Sequence, residues 1–378
     1  MQGALDGIRI VDVSRVLAGP FCSMVLGDLG AEVIKVEHVH AGDETRSWGP
    51  PFINKESAYY LSANRNKQAM TLNLNTPEGK DIFLRLASTS DVVVENFKVG
   101  TLEKWGLAYP DLKRKNPQII LASITGFGQT GPYKDLPGYD YIIQAMSGLM
   151  SITGEKEGSP MKVGVAISDV LTGLYTCIGV LAALQHRTNT GEGQEIDISL
   201  FDCQVSALVN VASNYLTTGI VPTRLGNQHP NITPYQVFSA KDGDMVVAVG
   251  NNRQFHRFAI AIDKPELIDA EAFKTNELRV ENRTRLVSVC GEQLLRKTKA
   301  EWKIRFDLAG VPNGPINSIA EMFADPQIQA REMVLKMNHP EIGEFQLTGS
   351  PLKLKQTPVS MSTIHQCMVS IQKYCLKI

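Results

Sequence analysis

Ile8-Arg9-Ile10-Val11-Asp12-Val13, Ser14-Arg15-Val16-Leu17-Ala18-Gly19-Pro20 and Glu32-Val33-Ile34-Lys35-Val36 decide the fold. The first and third are short β-rich runs. Between them a loop leads into Phe21, Val25, Leu26 and Leu29, which recur at helical spacing. Pro20 can open that helix, because the amide it lacks would have no partner in a first turn. Gly30 supplies the stop. Moving outward, strands are expected at 69–74, 91–95 and 118–124, with Thr76-Pro77-Glu78-Gly79 opening the helix between two of them. Strands separated by helix-length segments build a mainly parallel sheet, so the fold class is α/β with a Rossmann-like large domain.

The first strand–helix turn lacks the three glycines that let a backbone approach a pyrophosphate closely. Glu37 ends the second strand where a ribose-binding acid would stand, but without the glycine turn it reads as a solvated strand-end carboxylate. Nicotinamide chemistry is therefore disfavoured. The second half has a different character. A long helix from about 169 to 187 ends in Thr190-Gly191-Glu192-Gly193, followed by a strand at 194–200 and an apolar helix at 201–216. Lys241-Asp242-Gly243-Asp244 marks a hairpin between strands at 235–240 and 245–249. Helices are expected at 251–262 and 276–299. The expected organisation is a large domain at 1–189, a smaller α+β domain at 190–330, and a C-terminal return segment at 331–378.

The chain has 378 residues, a net charge of −1, 43% hydrophobic and 20% charged residues. This balance excludes the basic footprint of a nucleic-acid binder and the composition of a disordered chain. The length suits two domains. Six cysteines at irregular spacing, with no CxxC pair, read as reduced thiols, and Cys22 and Cys177 as packing residues. The apolar run 170–186 is interrupted by Thr172, Gly173, Thr176 and Gly179 and reads as a buried helix, so no membrane partner is expected. The N-terminus carries neither a signal peptide's apolar core nor a transit peptide's arginines, which suits a cytosolic protein or one whose targeting segment has been removed. His38-Val39-His40 lacks the spacing of a metal site. Neither a GxSxG elbow nor a Walker loop is present.

The informative acid is Asp169, which follows Val163-Gly164-Val165-Ala166-Ile167-Ser168 and opens the long helix. Ser168 or Asp169 can serve as that helix's cap. A carboxylate there would be held ionised by the helix dipole, and an ionised carboxylate can act as a nucleophile. The loop Thr125-Gly126-Phe127-Gly128-Gln129-Thr130-Gly131-Pro132 leaves the fifth strand at its C-terminal end, where open α/β sheets bind ligands, and its glycines permit close backbone approach. Lys98 and Lys104, after Glu95-Asn96-Phe97, could meet the phosphates of a nucleotide-tailed ligand.

The series Arg15–Pro20, Gly27-Asp28-Leu29-Gly30-Ala31 through Glu37, Val94-Glu95-Asn96-Phe97, Ser123–Gly128, Gly138-Tyr139-Asp140, Gly164–Asp169 and Gly191-Glu192-Gly193-Gln194 resembles the class III CoA-transferase family (CaiB/BaiF-like). The resemblance runs to about Pro358. Arg224–Phe238, Val249–Asn252 and Gly310–Asn317 favour the branch that passes CoA from succinyl-CoA to a dicarboxylate, glutarate or 3-hydroxy-3-methylglutarate. The resemblance implies CoA and acyl-CoA as substrates, no permanently bound cofactor and no metal. It implies an interlocked homodimer, a mitochondrial location, and Asp169 as the nucleophile that forms covalent aspartyl intermediates. By motif position, CoA contacts are expected at Leu17, Ala18, His38, Leu72, Asn73, Leu74, Asn75, Asn96, Phe97, Lys98, Lys104, Pro137, Gly138, Tyr139 and Asp140. Gly226, Asn227, Gln228 and His229 are expected to form a substrate loop.

Two alternatives come with the resemblance. α-Methylacyl-CoA racemases of the same family use a His and the aligned Asp as bases, but where they carry Gly-His-Asp this chain has Gly138-Tyr139-Asp140. A catalytically silent CoA-binding protein would keep the sheet without turnover, against which stands the intact Asp169. Three departures stand out. The family commonly has Arg at the position of His38, the 226–230 loop is not glycine-rich, and Val359–Ile378 replaces the usual tail. The last predicts lower stability than a relative with the usual tail.

Overall fold

A computed structural model describes residues 3–339 and 342–361; the altered tail beyond Met361 lies outside the described residues. These residues form two compact units. One takes those within Met1–Leu149, Lys162–Val209 and Pro326–Ile378, the other Met150–Met161 and Asn210–Asp325.

The first unit is built on six strands: β1 (Arg9–Asp12), β2 (Glu32–Glu37), β3 (Lys67–Thr71), β4 (Val92–Glu95), β5 (Ile120–Thr125) and β6 (Glu195–Ser199). All pairings are parallel, in the order β3-β2-β1-β4-β5-β6. This is the doubly wound order, in which the chain reverses direction across the sheet between β1 and β4 and opens a crevice at their C-terminal ends. β6 joins the edge of this sheet. The boundary expected at 189/190 thus cuts between a helix and a strand of one unit, whose contacts continue to Val209.

Apolar layers cover both faces of the sheet. Ile10, Val33, Val92, Val94, Ile120 and Ala122 pack on one side, and Val11, Ile34, Val36, Val93 and Leu121 on the other. Alternate residues of each strand supply opposite faces, as a sheet buried on both sides requires. Helix α1 (Ala18–Asp28) starts two residues before Pro20, with Leu17 at its N-cap. Short α2 (Ala58–Ser62) is capped by Ser57. Helix α3 (Pro77–Ser88) has Pro77 in its first turn and Thr76 as its cap, accepting the Gly79 N–H. After α4 (Asp140–Met146) comes the long α5 (Ile167–Thr190), closed by Gly191 in the left-handed region. Helix α5 lies against α1 because Gly173 has no side chain. A Cβ there would meet the Ala18 carbonyl oxygen at 2.7 Å. Cys22 and Cys177 are buried in this seam, the Cys177 thiol 3.3 Å from the Cys22 carbonyl. By length and hydropathy α5 could also cross a membrane, but nearly half of its apolar window is buried inside the protein.

The helix expected at 201–216 is two helices, α6 (Leu200–Ser206) and α7 (Val209–Thr218), broken where Val209 takes φ 41°. Hydrophobic periodicity continues across that break, so the pattern alone conceals it. The second unit holds the hairpin β7 (Tyr235–Ala240) and β8 (Gly243–Ala248), paired antiparallel, with β9 (Asn313–Pro315) beside β8. Helix α8 (Asn252–Ala261) is capped by Asn251. The expected 276–299 helix is interrupted at Asn282, giving 276–281 and α9 (Arg283–Leu294); α10 (Lys299–Ala309) follows, with Thr298 and Glu301 forming a reciprocal cap. The core of this unit gathers Phe258, Phe273, Leu286, Trp302 and Phe306, with Trp302 stacked on Phe306 at 5.3 Å.

Candidate active site

Two clefts open at the C-terminal edge of the large sheet. The first, about 190 Å³, is lined by Arg15–Ala18, Asn96–Val99, Ile124–Gly126, Lys134–Asp140, Asp169 and Leu200. The second, about 430 Å³, is lined among others by His38, Glu37, Leu72, Leu74, Asn75, Thr101 and Trp105. Arg15, Glu44, Phe97 and Lys98 line both.

The turn after β1 forms part of this shared wall and is held under strain. Val16 has φ 70°, a conformation that costs a β-branched residue of the order of 1–3 kcal/mol. Asn96, at the end of β4, clamps the residue before it: its side-chain oxygen accepts the Arg15 N–H at 2.8 Å and its amide donates to the Arg15 carbonyl at 2.7 Å. From below, the buried Lys35 ammonium donates to the Ser14 carbonyl at 2.9 Å and pairs with Asp43 at 3.1 Å. Asn96 was expected as a ligand contact; both of its polar side-chain atoms are engaged with Arg15. Asn96→Ala is expected to lose about 1–2 kcal/mol, two hydrogen bonds' worth, in urea unfolding. Val16→Gly should gain about 1 kcal/mol in the same measurement, since glycine tolerates the positive φ.

Asp169 sits in the first turn of α5 and accepts no hydrogen bond from the described residues. The caps expected from sequence are absent. Ala166 occupies the N-cap position, and the Asp140 carboxylate reaches in instead, accepting the Ser168 N–H at 2.8 Å. The Ser168 hydroxyl donates to Gln204 at 2.9 Å. Asp169 is also not held ionised by the dipole. Burial and the neighbouring Asp140 charge push its carboxyl up to about 7. Tyr59, whose phenol is pushed up to about 12 by burial and then by Asp169 and Asp140, faces the same pair.

Gly126 of the glycine loop lines the first cleft and also serves packing. Gly126 and Gly138 pack on each other: a Cβ on Gly138 would stand 2.3 Å from the Gly126 Cα. Gly128 donates its N–H to the Thr125 hydroxyl, and Gly131 faces open space with φ 88°. Glu37 is neither solvated nor free for a ribose. Arg46 binds both of its oxygens, at 2.8 and 2.9 Å, and Tyr60 donates to it at 2.8 Å.

Among the expected contact residues, Leu17, Ala18, Asn96, Phe97, Lys98, Pro137, Gly138, Tyr139 and Asp140 meet Asp169 around the first cleft. His38, Leu72, Leu74 and Asn75 line the second. Asn73 lies outside both linings and shapes the turn before α3, its side-chain oxygen accepting the Asn75 N–H at 3.1 Å. Lys104 is exposed on the helix Thr101–Trp105, also outside them. The 226–229 segment belongs to the second unit, where the Gly226 N–H donates to the Gly154 carbonyl at 3.1 Å and Arg224 donates to the carbonyls of Ser151, Glu155 and Gly158. Sequence reasoning missed Trp105, which stands edge-on to Phe97 at 5.1 Å in the second cleft, as well as Lys134 and the buried Gln144. An aromatic one position after Lys104 was the available signal for the first. Nothing in the local sequence marks Gln144.

Comparison with known proteins agrees with this geometry. A family model described as CoA-transferase family III matches residues 5–364. The chain is 46% identical over 361 residues to a succinate–glutarate CoA-transferase of Agrobacterium fabrum, covering 94% of this chain and 90% of that one. It is also 46% identical to the human succinyl-CoA:glutarate CoA-transferase, over 94% of this chain and 81% of the relative. A crystal structure of a CaiB/BaiF family protein from Brucella suis superposes with a TM-score of 0.85 at 43% identity, covering 97% of both chains. By sequence and by fold, the chain belongs to CoA-transferase family III.

Proposed function

We propose that the protein transfers CoA from succinyl-CoA to a dicarboxylate, with glutarate the first candidate and 3-hydroxy-3-methylglutarate the second, through covalent intermediates on Asp169. One observation carries the reading: a carboxyl group free of hydrogen-bond donors lies in a cleft at the point where the strand order reverses. The ionised Asp169 attacks the thioester carbonyl, giving a succinyl–aspartyl anhydride and expelling CoA thiolate. The thiolate attacks the aspartyl carbonyl, forming an aspartyl–CoA thioester and releasing succinate. The acceptor carboxylate attacks that thioester, again expelling thiolate, which takes the new acyl group and frees Asp169. Each step exchanges one activated acyl bond for another, so the thioester's energy is kept while water is excluded.

In this reading Phe97 and Trp105 offer apolar surface to the adenine in the second cleft, and Arg15 and Lys98 face the phosphates between the clefts. His38 turns its Nδ1 inward to the His40 and Ala41 amides, leaving its other nitrogen for the nucleotide. The homodimer is part of the proposal. Leu174, Tyr175, Ile178 and Leu181 expose one apolar stripe of α5, a face for a second copy.

The experiment is a panel of dicarboxylates with succinyl-CoA as donor, followed by hydroxylamine trapping. Glutaryl-CoA formation, with succinyl-CoA-dependent inactivation modified at Asp169, supports the reading. CoA binding without transfer or trapping would assign the silent alternative.

A further inference from the structure

Gln144 is completely buried on α4, and the site chemistry above does not use it. Its amide is oriented by two backbone groups that each allow a single polarity. The Val163 N–H can only donate, and meets Oε1 at 2.9 Å; the Val165 carbonyl can only accept, and meets Nε2 at 3.3 Å. With the amide fixed in this way, Nε2 also donates to Asp140 Oδ2, at 2.7 Å. The other Asp140 oxygen accepts the Ser168 N–H at 2.8 Å. Both oxygens of Asp140 are therefore occupied as acceptors, the hydrogen-bonding role of a carboxylate.

We propose that Gln144 is a positioning residue that locks Asp140 as the charged member of the Asp140–Asp169 pair and so places the resting enzyme's proton on Asp169. Its consequence for turnover rests on Asp169 being the nucleophile. Two adjacent carboxyls in one partly dry cleft do not both ionise readily. Asp140 has two donors and Asp169 has none, so the proton goes to Asp169. The other groups around the pair are Tyr59 from α2, and Arg15, Glu44, Lys98, Lys134 and Asp135 along the cleft wall; α6 presents the neutral Gln204, bonded to Ser168. Burial and Asp140 push the Asp169 carboxyl up to about 7, in keeping with this assignment. Two of these Gln144 contacts, to Val163 and Val165, also pin the segment that delivers Asp169 to the cleft, and the third reaches Ser168 through Asp140. Before the first acyl transfer the proton must leave Asp169 to solvent, so kcat/KM should fall on the acid side of neutrality.

The test uses the intact protein labelled with ¹³C at aspartate carboxyls, titrated by NMR, with a parallel kcat/KM profile. The expected result is one carboxyl titrating near neutrality that is lost in Asp169→Asn. In Gln144→Met, which keeps the volume and removes the donor, that titration and the acid limb should both move about one pH unit lower, because Asp140 can then take the proton. A near-neutral titration that survives in Asp169→Asn overturns the assignment without needing any Gln144 variant to fold. An unmoved titration in a folded Gln144→Met overturns the role of Gln144. If the carboxyls titrate as expected but the wild type transfers no CoA, the functional reading alone fails.

Discussion

Asp169→Ala is expected to abolish CoA transfer while making the protein more stable at pH 8. The activity loss should be at least about 10⁴-fold, because the side chain that carries every covalent intermediate is removed. Asp140, the nearest acid, is engaged by Ser168 and Gln144. CoA binding should survive, since the groups lining the second cleft are untouched. The stability gain follows from the raised carboxyl. In the folded chain Asp169 holds its proton up to about 7, against 3.8 in the open chain. The folded state therefore binds more protons between those values, and stability falls as pH rises through that window. The shift caps the effect at about 4 kcal/mol, and contact with solvent in the cleft reduces it to about 1–2 kcal/mol. Alanine is also a good residue for a helix's first turn. Urea unfolding at pH 5 and pH 8 measures both arms. The variant's advantage should be present at pH 8 and small at pH 5; equal advantages would show that Asp169 is not the strained acid.

Gly138→Ala is expected to lose at least about 100-fold in kcat/KM through geometry alone. The new methyl would stand 2.3 Å from the Gly126 Cα, a contact no side-chain rotation can relieve. Either the end of β5 or the 137–140 turn must move, and the second carries Asp140, the cap of α5. The shift therefore reaches Asp169 through the helix start. Overpacking of this kind also costs about 1–3 kcal/mol of stability. Gly164→Ala, where the added methyl meets nothing within 4 Å and φ lies outside the left-handed region, is the folding control and should melt within a degree or two of wild type. Similar kinetics for Gly138→Ala and wild type would show that the two backbones can part without disturbing the nucleophile.

The alternation of β-rich runs and helical spacing was legible from Ile10 to Ile124, because each strand is buried on both faces and a helix such as α3 on one. That is a pattern composition must obey whatever the partner. Breaks at 207–208 and 282 were not legible, since apolar periodicity runs through them and the chain turns for reasons of packing. Asp169 stood out by its place before the long helix, and the motif series pointed to the family. Its electrostatics run opposite to what a helix start implies. A helix start suggests an ionised carboxylate, but the sequence 29 positions earlier does not show that Asp140 will occupy the cap and place its charge beside Asp169. Asn96 and Gly126 both line the cleft, and only the tertiary structure shows that they also hold the chain, one by clamping Arg15 and the other by packing on Gly138.

By itself, then, the amino-acid sequence determined an α/β sheet, the family and the candidate nucleophile, because hydrophobic period and ordered motifs are properties of neighbours along the chain. Tertiary structure alone decided the strand order, the β1–β4 crevice, the strain at Val16 and the carboxyl on which the proton rests. Those depend on groups remote in sequence, such as Asn96 with Arg15, or Gln144 and Asp140 with residues 163–168, meeting at hydrogen-bond distance in a buried place where each donor must find its acceptor.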